Sequence, residues 1–573
     1  MQAFLEAFSR SQETYTGVYL GLLRYGAPIL AAVLLWRCFR PLLTFRQEPE
    51  VWGWLNIADG RQVPITQWEN VIGRSRSCDV TIDFTTVSRN HAVLTRYDDG
   101  SWTITDAGSK TGVMVNGEPV TISALAEHDV ISVGGVEMTL ETVDDAQQEH
   151  QLARRSKAGS FLSNAFNVLL LTILQCLMAL GFLMTTGPEE HMSILLGFGG
   201  IAVCQWLLMI FYAIIRRTAF EVEAMAFFLC TLGMAAIAAV RPGEAGKQLM
   251  AMVIGVVLFL VIGWSLRDLE RAKVCRYLAA VAGVGFLVIT LLFGKEFYGA
   301  KNWLIIGGMS LQPSELTKLC FVYTGASTMD RIMTKRNIFL FIVYSVLICG
   351  CLALMNDFGT ALIFFCAFLI IAYLRSGSVG TIGLAVTALI FAGVLALKIA
   401  PHALARFSTW RHVWEDPYNS GYQQTQALMC LAAGGLLGLG PNRGKLQGIF
   451  AADSDIAFAT ISEEWGLILA VMAVLCILVF GLFAIRTARM ARSSFYVIGA
   501  CTAASILVIQ ASLNCLGTLD VLPFTGVTFP FLSNGGTGMI GAWGLLAFVK
   551  AADTRQNASF AVKLNKLGVT THA

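Results

Sequence analysis

From about residue 163 onward the chain is built mainly of apolar runs. There are roughly twelve of them, and most are close to the twenty or so residues that a helix needs to cross a bilayer. Only 14% of the residues are charged, and the mean hydropathy is +0.64. These properties exclude an ordinary soluble enzyme and predict a polytopic all-α membrane protein, with about 13 transmembrane helices in total once a run at about 17–36 is included. The later runs centre near residues 175, 204, 230, 257, 284, 322, 345, 367, 389, 470, 505 and 543.

The segment from about 51 to 142 has a different character. It is polar, and stretches such as Ser101-Trp102-Thr103-Ile104-Thr105 alternate with the period of half-buried strands. Turn signals recur at Asp98-Asp99-Gly100, Asn116-Gly117 and Gly134-Gly135. We therefore expect a compact all-β sandwich between the first apolar run and the others.

Basic residues predict the orientation in the membrane. They occupy alternate short connections, which we place in the cytoplasm together with the β domain and the C-terminal tail. The N-terminus and the long loop at about 400–455 are then expected outside. The net charge of +3 gives no sign of a nucleic-acid partner, and none is expected. The basic clusters are Arg37/Arg40, Arg154/Arg155/Lys157, Arg216/Arg217, Arg267/Arg271/Lys273/Arg276, Arg331/Lys335/Arg336, Arg375 and Arg486/Arg489/Arg492.

Four carboxylates lie where this loop meets an apolar helix: Asp453, Asp455, Glu463 and Glu464. Ionisable groups at a membrane edge are costly and usually face a water-filled cavity or a substrate path. Helix capping by Ser454 or Asp455 explains one of them at most. The segment therefore indicates a functional site on the outer side.

Three motifs in the β segment resemble the forkhead-associated (FHA) domain: Gly73-Arg74, Ser88-Arg89-Asn90-His91, and Thr111-Gly112-Val113 with Asn116-Gly117. The resemblance implies that Arg74, Ser88 and Arg89 bind the phosphate of a phosphothreonine protein, and a guanidinium with a hydroxyl suits that ligand. It implies that His91 braces the loops. Thr111 replaces the family's ligand-gripping Asn. The alternative is a sandwich that merely packs or dimerises.

The chain from about 220 to 551 resembles the SEDS family (shape, elongation, division and sporulation), the RodA/FtsW type of peptidoglycan polymerase. Three motifs depart from the family pattern. Asn356 precedes Asp357 where the family has Pro, Asn302 precedes Trp303 where it has Arg, and Asn534 follows Ser533 where it has Tyr. The matching motifs are Gln312-Pro313-Ser314-Glu315, Asp357-x-Gly359-Thr360, Asp416-Pro417, Gly421-Tyr422-Gln423-x-x-Gln426, Gly434-Gly435, Asp455 with Glu463-Glu464-x-Gly466, and Pro523 through Gly536.

This resemblance implies a glycosyltransferase that joins lipid II units into a glycan strand at the outer membrane face. The reaction needs a base near the attacking hydroxyl and cations near the departing pyrophosphate. Asp455 is implied as the catalytic base. Glu463, about 80° around a helix and 12 Å along it, would line the same cavity from deeper. The residues expected to contact substrate are Lys301, Trp303, Glu315, Lys318, Asp357, Arg406, Gln423, Glu463 and Ser533.

The expected partners are lipid II, the nascent glycan strand, membrane lipid, a class B penicillin-binding protein acting as transpeptidase, and the phosphothreonine protein at the FHA domain. A divalent cation is compatible with the chemistry, although no ligand cluster of recognisable spacing predicts a metal site. Two other functions stay open: a transporter that flips lipid II, and a non-catalytic scaffold that activates a transpeptidase.

These features divide the chain into six parts. They are a transmembrane anchor (1–45), an FHA domain (51–142), a linker (143–160), an extra transmembrane hairpin (163–217), a SEDS core (220–552) and a cytoplasmic tail (553–573).

Overall fold

The structure is a computed structural model of the 573-residue chain. It describes residues 2–45, 50–75, 78–97, 100–144, 146–147, 159–297, 299–306, 309–329, 335–376, 379–399, 401–488, 490–491, 493–555 and 558–560. Most of the predicted linker and most of the predicted tail lie outside the described residues.

The segment after the first helix is a sandwich of two sheets, as predicted from its alternating pattern. One sheet has the strand order β2-β1-β11-β10-β7-β8 and the other β4-β3-β5-β6-β9. Alternate residues of the strands meet in a closed apolar core that includes Leu55, Ile72, Leu94 and Ile131. The strands are β1 (Gly53–Ile57), β2 (Gln62–Ile65), β3 (Glu69–Gly73), β4 (Val80–Thr81), β5 (Ala92–Arg96), β6 (Trp102–Asp106), β7 (Val113–Val115), β8 (Glu118–Val120), β9 (Ile122–Leu125), β10 (Val130–Val133) and β11 (Val136–Thr142).

Helices lie at all thirteen positions where the sequence predicts spans. In the described part of the chain, ten helices are long and apolar enough to cross a membrane. The first helices are α1 (Gln2–Thr44), α2 (Phe161–Leu183), α3 (His191–Ile214), α4 (Glu221–Val240), α5 (Ala245–Leu266), α6 (Leu269–Phe293), α7 (Pro313–Met329), α8 (Lys335–Leu354), α9 (Phe358–Ser376) and α10 (Val379–Ile399).

The long loop contains structure that its polar composition does not predict. Short helices α11 (Pro401–Thr409), α12 (Tyr422–Gly434) and α13 (Ala457–Trp465) lie in or directly after it. They precede α14 (Leu467–Ala488), α15 (Ser494–Thr518) and α16 (Gly536–Ala551). Between α6 and α7, a second connection forms a small sheet of β12 (Lys295–Phe297), β13 (Ala300–Ile306) and β14 (Met309–Leu311).

Polar contacts fix the additional helices to the bundle. The buried Gln175 of α2 donates hydrogen bonds to Gln205 of α3 (3.1 Å) and Thr231 of α4 (2.9 Å). On α1, Tyr19 Oη donates to the Leu177 carbonyl (2.6 Å) and Arg37 Nε donates to Asn167 (2.7 Å). Hydrogen bonds between helices stabilise packing where lipid offers no competing partner. The extra hairpin and α1 therefore belong to one bundle with the core.

A buried charge cluster closes the opposite end of the bundle from the long loop. Lys550 Nζ lies 3.1 Å from Glu223, and Arg555 lies 2.8 Å from Asp553 and 3.3 Å from Glu221. All five side chains are almost fully buried. Arg555, near the start of the predicted tail, is thus packed into the bundle, because Glu221 of α4 and Asp553 pair with it.

Candidate functional site

Asp455 lies in a tight loop immediately before α13. Its backbone is fixed from two sides, since Asp455 N donates to the Ala451 carbonyl (3.0 Å) and Asn514 Nδ2 donates to the Asp455 carbonyl (2.9 Å). The same Asn514 amide donates to the Val527 carbonyl (2.8 Å). Asn514 of α15 therefore joins the loop of Asp455 to the loop that precedes α16.

The carboxylate of Asp455 is half-buried and faces the Thr525–Val527 segment. A β-carbon at Gly526 would lie 3.4 Å from Asp455 Oδ2, and Gly526 has a φ of +66°. Glycine accommodates both the close approach and the left-handed backbone. Arg406 of α11 donates to the Thr525 carbonyl (3.1 Å), which places its guanidinium near the same carboxylate.

Burial raises the pKa of Asp455 to about 7, although the positive charge of Arg406 and a hydrogen bond from Ser454 oppose the rise. The negative charge of Asp453 adds to it. Desolvation disfavours the charged form of a carboxyl group, so the proton is held more tightly than in water. The group is thus poised to exchange a proton near neutral pH.

Asp453 has a different environment although it is two residues away. It is fully buried and forms an ion pair with Arg241, whose Nε donates to Oδ2 at 3.1 Å. Asn534 donates to the same carboxylate (2.7 Å), and its backbone N–H donates to the Asp453 carbonyl (2.7 Å). Asp453 therefore anchors the loop to α4 and to the segment before α16.

Ser533 also joins the loop of Asp453 and Asp455 to the segment before α16. Its hydroxyl donates to the Ser454 carbonyl (2.6 Å) and accepts from Phe529 N (2.8 Å). Gln248 of α5 donates to the Ser533 carbonyl (3.2 Å). This geometry favours a positioning role for Ser533, and its contact with substrate stays a prediction.

Asp357 caps α9 and also joins the small sheet of β12, β13 and β14 to it. Its Oδ1 accepts from Thr360 N (3.1 Å), and its Oδ2 accepts from Asn302 of β13 (3.1 Å) and from Gln312 (3.5 Å). A β-carbon at Gly359 would lie 3.2 Å from the Thr525 side chain. The start of α9 therefore borders the segment that Asp455 faces.

The two lysines predicted to contact substrate are held by protein groups. Lys301 Nζ donates to the Leu291 carbonyl (2.7 Å), and Trp303 lies half-buried on the same strand. Lys318 is 1% exposed and pairs with Glu315 at 2.5 Å inside the bundle. Arg406, by contrast, is an exposed cation close to Asp455.

Glu463, which was expected to line the cavity of Asp455, is held by backbone amides in this structure. Its carboxylate accepts from Lys445 N (2.7 Å) and Leu446 N (3.1 Å), so it holds the turn at Leu446–Gly448. The expected separation of about 80° and 12 Å assumed that both residues lie on one helix. Asp455 instead precedes α13. The helix ends at Trp465, and the next residue, Gly466, has a φ of +89°. Gln423 of α12 donates to the Phe450 carbonyl (2.9 Å), which joins α12 to the loop before Asp455.

The described part of the chain contains no group of three or more His, Cys, Asp or Glu side chains arranged to hold a metal ion.

The predicted phosphate-binding loops of the β sandwich lie side by side. Arg74 N donates to the Ser88 carbonyl (3.0 Å) and Ser75 N donates to the Arg89 carbonyl (3.1 Å). A β-carbon at Gly73 would lie 2.3 Å from the Arg89 carbonyl oxygen, which explains the glycine. Arg74 and Arg89 are exposed, and Ser88 is half-buried. Two cations and a hydroxyl thus share one edge of the sandwich.

His91 braces these loops, as the sequence predicts. It is fully buried, its Nδ1 accepts from Ser88 N (3.1 Å), and its Nε2 lies 2.9 Å from the Gly112 carbonyl. Because Nδ1 accepts, the proton must be on Nε2, which donates to Gly112. Thr111 donates to the Thr86 carbonyl (3.3 Å) and so also fastens the loops.

Comparison with known proteins decides the family. The FtsW/RodA/SpoVE model, described as cell cycle protein, matches residues 237–558. The chain belongs to this family. The FHA domain model matches residues 70–134.

Among similar relatives, a probable peptidoglycan glycosyltransferase FtsW of Nitrosococcus halophilus is 35% identical over 274 residues, which cover 45% of this chain and 70% of that protein. The peptidoglycan glycosyltransferase RodA of Mycobacterium tuberculosis (strain H37Rv) is 27% identical over 328 residues, 54% of this chain and 70% of that protein. A solved chain from a peptidoglycan synthase complex has 24% identity, covers 58% of this chain and 96% of its own length, and gives a TM-score of 0.48.

In this FtsW/RodA/SpoVE protein, two residues that build the site escaped prediction: Arg241 and Asn514. Asn514 had a usable signal, because an amide inside the apolar run near 505 needs a hydrogen-bonding partner in the membrane. Arg241 follows the run near 230 and looks like an ordinary flanking charge. Only the fold brings it to Asp453.

We expect Asp453→Asn and Asp455→Asn to affect stability in opposite ways. Asp453→Asn removes one partner of a buried ion pair and should lower the free energy of unfolding by about 2 kcal/mol. Asp455→Asn replaces a carboxyl group that burial already disfavours in its charged form, so stability should be unchanged or higher. Thermal unfolding of the purified protein in detergent measures both. Equal melting temperatures for the two variants would contradict the assignment of Asp453 as the structural acid.

Proposed function

We propose that this family member is a peptidoglycan glycosyltransferase that polymerises lipid II into glycan strands at the outer face of the bacterial cell membrane, in elongation, division or sporulation. Family membership and the similarity to curated RodA and FtsW glycosyltransferases support this activity. The observation that carries the assignment of the base is the environment of Asp455. Its pKa is raised to about 7, whereas its neighbour Asp453 is neutralised by Arg241.

In the proposed reaction, Asp455 accepts the proton of the sugar 4-hydroxyl of the incoming lipid II. The hydroxyl oxygen then bonds to the anomeric carbon of the growing strand, and undecaprenyl pyrophosphate leaves with the bonding electrons. A general base works best when its pKa lies near the working pH, because it is then both ionised and basic. The half-buried position of Asp455 supplies that pKa.

Arg406 is the cation that best fits the departing pyrophosphate. It is exposed, and its guanidinium donates to the Thr525 carbonyl within the segment that Asp455 faces. A guanidinium offers several donors to phosphate oxygens. Lys318 stabilises the bundle through Glu315 in this proposal, and Lys301, Trp303, Asp357 and Gln423 shape the walls of the site.

We expect Asp455→Asn to abolish detectable polymer when the purified protein is given lipid II alone. The amide keeps the size of the side chain but does not accept a proton, and losing a general base typically lowers the rate by about 10²–10⁴. Asp453→Asn is the matched control and should polymerise within about tenfold of wild type below its melting temperature. Normal polymer from the Asp455 variant with an inactive Asp453 variant would show that the base is the other carboxylate.

The pH profile of the same assay is a second readout for Asp455. The ionised form is the active one, so the rate should fall about tenfold per pH unit below the pKa of about 7 and level off above it. A rate that is independent of pH from about 5.5 to 8 would contradict this role. If wild type makes no polymer from lipid II, the flippase and scaffold alternatives gain support.

The FHA domain is proposed to bind a phosphothreonine protein, and a class B penicillin-binding protein is proposed as the transpeptidase partner. Arg74→Ala should abolish binding of a phosphothreonine peptide library to the full chain, because the guanidinium supplies the charged hydrogen bonds to phosphate. Arg61→Ala is the matched control, since Arg61 is an exposed arginine of the same domain that pairs with Asp59. Fluorescence titration measures binding. Equal affinity of wild type for unphosphorylated peptides would argue for a packing or dimerisation module.

The proposed orientation places the FHA domain and the C-terminus in the cytoplasm and the site of Asp455 outside. Single cysteines at Tyr418 (86% exposed) and Ile122 (68% exposed) report on the two sides. In a background without reactive native thiols, a reagent that does not cross membranes should label Tyr418→Cys in intact cells and spare Ile122→Cys. After lysis both should react. The reverse pattern in intact cells would contradict the orientation and the outer active site.

A further inference from the structure

The main chain of residues 453–455 is held at three consecutive carbonyl groups. Each of these carbonyl oxygens accepts a hydrogen bond from a different donor. In the order of the acceptors, the donors are Asn534 N (2.7 Å), Ser533 Oγ (2.6 Å) and Asn514 Nδ2 (2.9 Å). None of the three bonds uses the carboxylate of Asp455, so the loop is fixed while that side chain keeps its oxygens for other contacts.

Asn514 differs from the other two donors because its amide group holds two loops at once. Its Nδ2 also donates to the Val527 carbonyl (2.8 Å). Both partners are carbonyl oxygens, which can only accept, so the NH₂ end of the amide must face them and both of its protons are used. Between the two carbonyls lies Gly526, whose β-carbon would be 3.4 Å from Asp455 Oδ2. Asn514 therefore sets the width of the gap that the Asp455 carboxylate faces.

The orientation of this amide leaves its own oxygen without a partner. Asn514 is 2% exposed and lies within the candidate membrane span Ser494–Thr518. In the part of the chain that the structure describes, its Oδ1 is buried and accepts no hydrogen bond. A buried acceptor without a donor destabilises a fold, and polar residues inside apolar spans usually serve function. The side chain is thus better explained by what its nitrogen holds than by the stability of α15.

The end of α15 is a firm support for this amide. Thr518 Oγ1 donates to the Asn514 carbonyl within the same helix (2.7 Å), and Gln424 of α12 donates to the Gly517 carbonyl (3.1 Å). A β-carbon at Gly517 would lie 3.6 Å from the Phe524 main chain, so the helix packs directly on the segment before Thr525. Side chains on helices hold a site more precisely than side chains on loops.

We infer that Asn514 is a positioning residue for the reaction: by holding the Asp455 and Val527 carbonyls on one amide, it keeps the Asp455 carboxylate in the half-buried gap at Gly526. This inference rests on the proposed polymerase function. Asn514 takes no part in the proton transfer, because both of its N–H groups are bound to the main chain. Without it the loop stays fixed at residues 453 and 454, but the peptide of Asp455 is free to turn.

The first test is the kinetics of Asn514→Leu with lipid II. Leucine has a similar volume and removes both hydrogen bonds. We expect kcat to fall about 10–100-fold, because a small displacement of a reacting group is enough for such a loss, while KM changes less than about threefold. Asn514→Ser should lose as much, since a serine hydroxyl in a helix donates to the preceding turn. Thr518→Val is the matched control, a buried position one turn further along α15, and should keep the rate of wild type within about twofold.

The second readout is the pH dependence of kcat, which a purely structural role would leave unmoved. Burial raises the pKa of Asp455 to about 7. A carboxylate released from the gap is better hydrated, so its pKa should move down toward the ordinary value of about 3.9. The pH below which the rate falls should therefore shift down by about one unit or more in both Asn514 variants. A variant that only unfolds loses amplitude without that shift.

Two results would overturn the inference: a kcat for Asn514→Leu equal to that of Thr518→Val, or a lower kcat with the pH limb of wild type. If wild type makes no polymer, the proposed function fails, and the positioning is read without turnover. A carbodiimide reacts with protonated carboxyl groups, so mass spectrometry of Asp455 labelling against pH reports its titration. A labelling midpoint that is lower in the Asn514 variants supports the inference, and an unchanged midpoint contradicts it.

Discussion

The burial of Asp453 against Arg241 and Asn534 is the contact on which the candidate site depends. It joins α4, the loop before α13 and the segment before α16, which are far apart in the sequence. A buried carboxylate is stable only when its charge is paired and its oxygens are hydrogen-bonded. These contacts fix the loop at Asp453, and Asp455 two residues later keeps a half-buried carboxyl group near the exposed Arg406. The same loop thus holds one acid in a buried ion pair and one acid whose pKa is raised by burial.

Buried charges elsewhere in the bundle are also paired. Glu315 with Lys318, and Glu223 with Lys550, lie at the two sides of the membrane domain and are nearly inaccessible to solvent. The Glu223–Lys550 pair joins α4 to α16, whereas Glu315 and Lys318 lie one turn apart on α7. In either pair, removing one partner leaves an uncompensated buried charge. Arg406 differs from these buried lysines, since it is exposed and lies near Asp455. This contrast separates cations that stabilise the fold from the cation proposed to meet the pyrophosphate.

The additions to the family core are attached by contacts of the same polar kind. The hairpin of α2 and α3 is joined to α4 through Gln175 and Gln205, and α1 is joined to α2 through Tyr19 and Arg37. The helix α1 precedes the FHA domain in the chain and also lines a small cavity beside Glu464 of α13. The helix that leads into the FHA domain in the sequence therefore also packs against the end of α13.

The sequence by itself determined the thirteen helix positions, the β sandwich and the motifs at Arg74, Ser88 and Asp455, because apolar run length, strand alternation and motif spacing are local properties. It did not determine the roles of the individual charges. Asp453 and Asp455 look alike in the sequence, Lys318 looks like a substrate cation, and Glu463 was expected to share the cavity of Asp455. The role of each charged residue depends on the partner that folding brings to it. Arg241 pairs with Asp453, and the Lys445 and Leu446 amides donate to Glu463. Charge pairing and desolvation are properties of three-dimensional neighbours, so only the tertiary structure decided which carboxylate is held by the fold and which is poised to accept a proton.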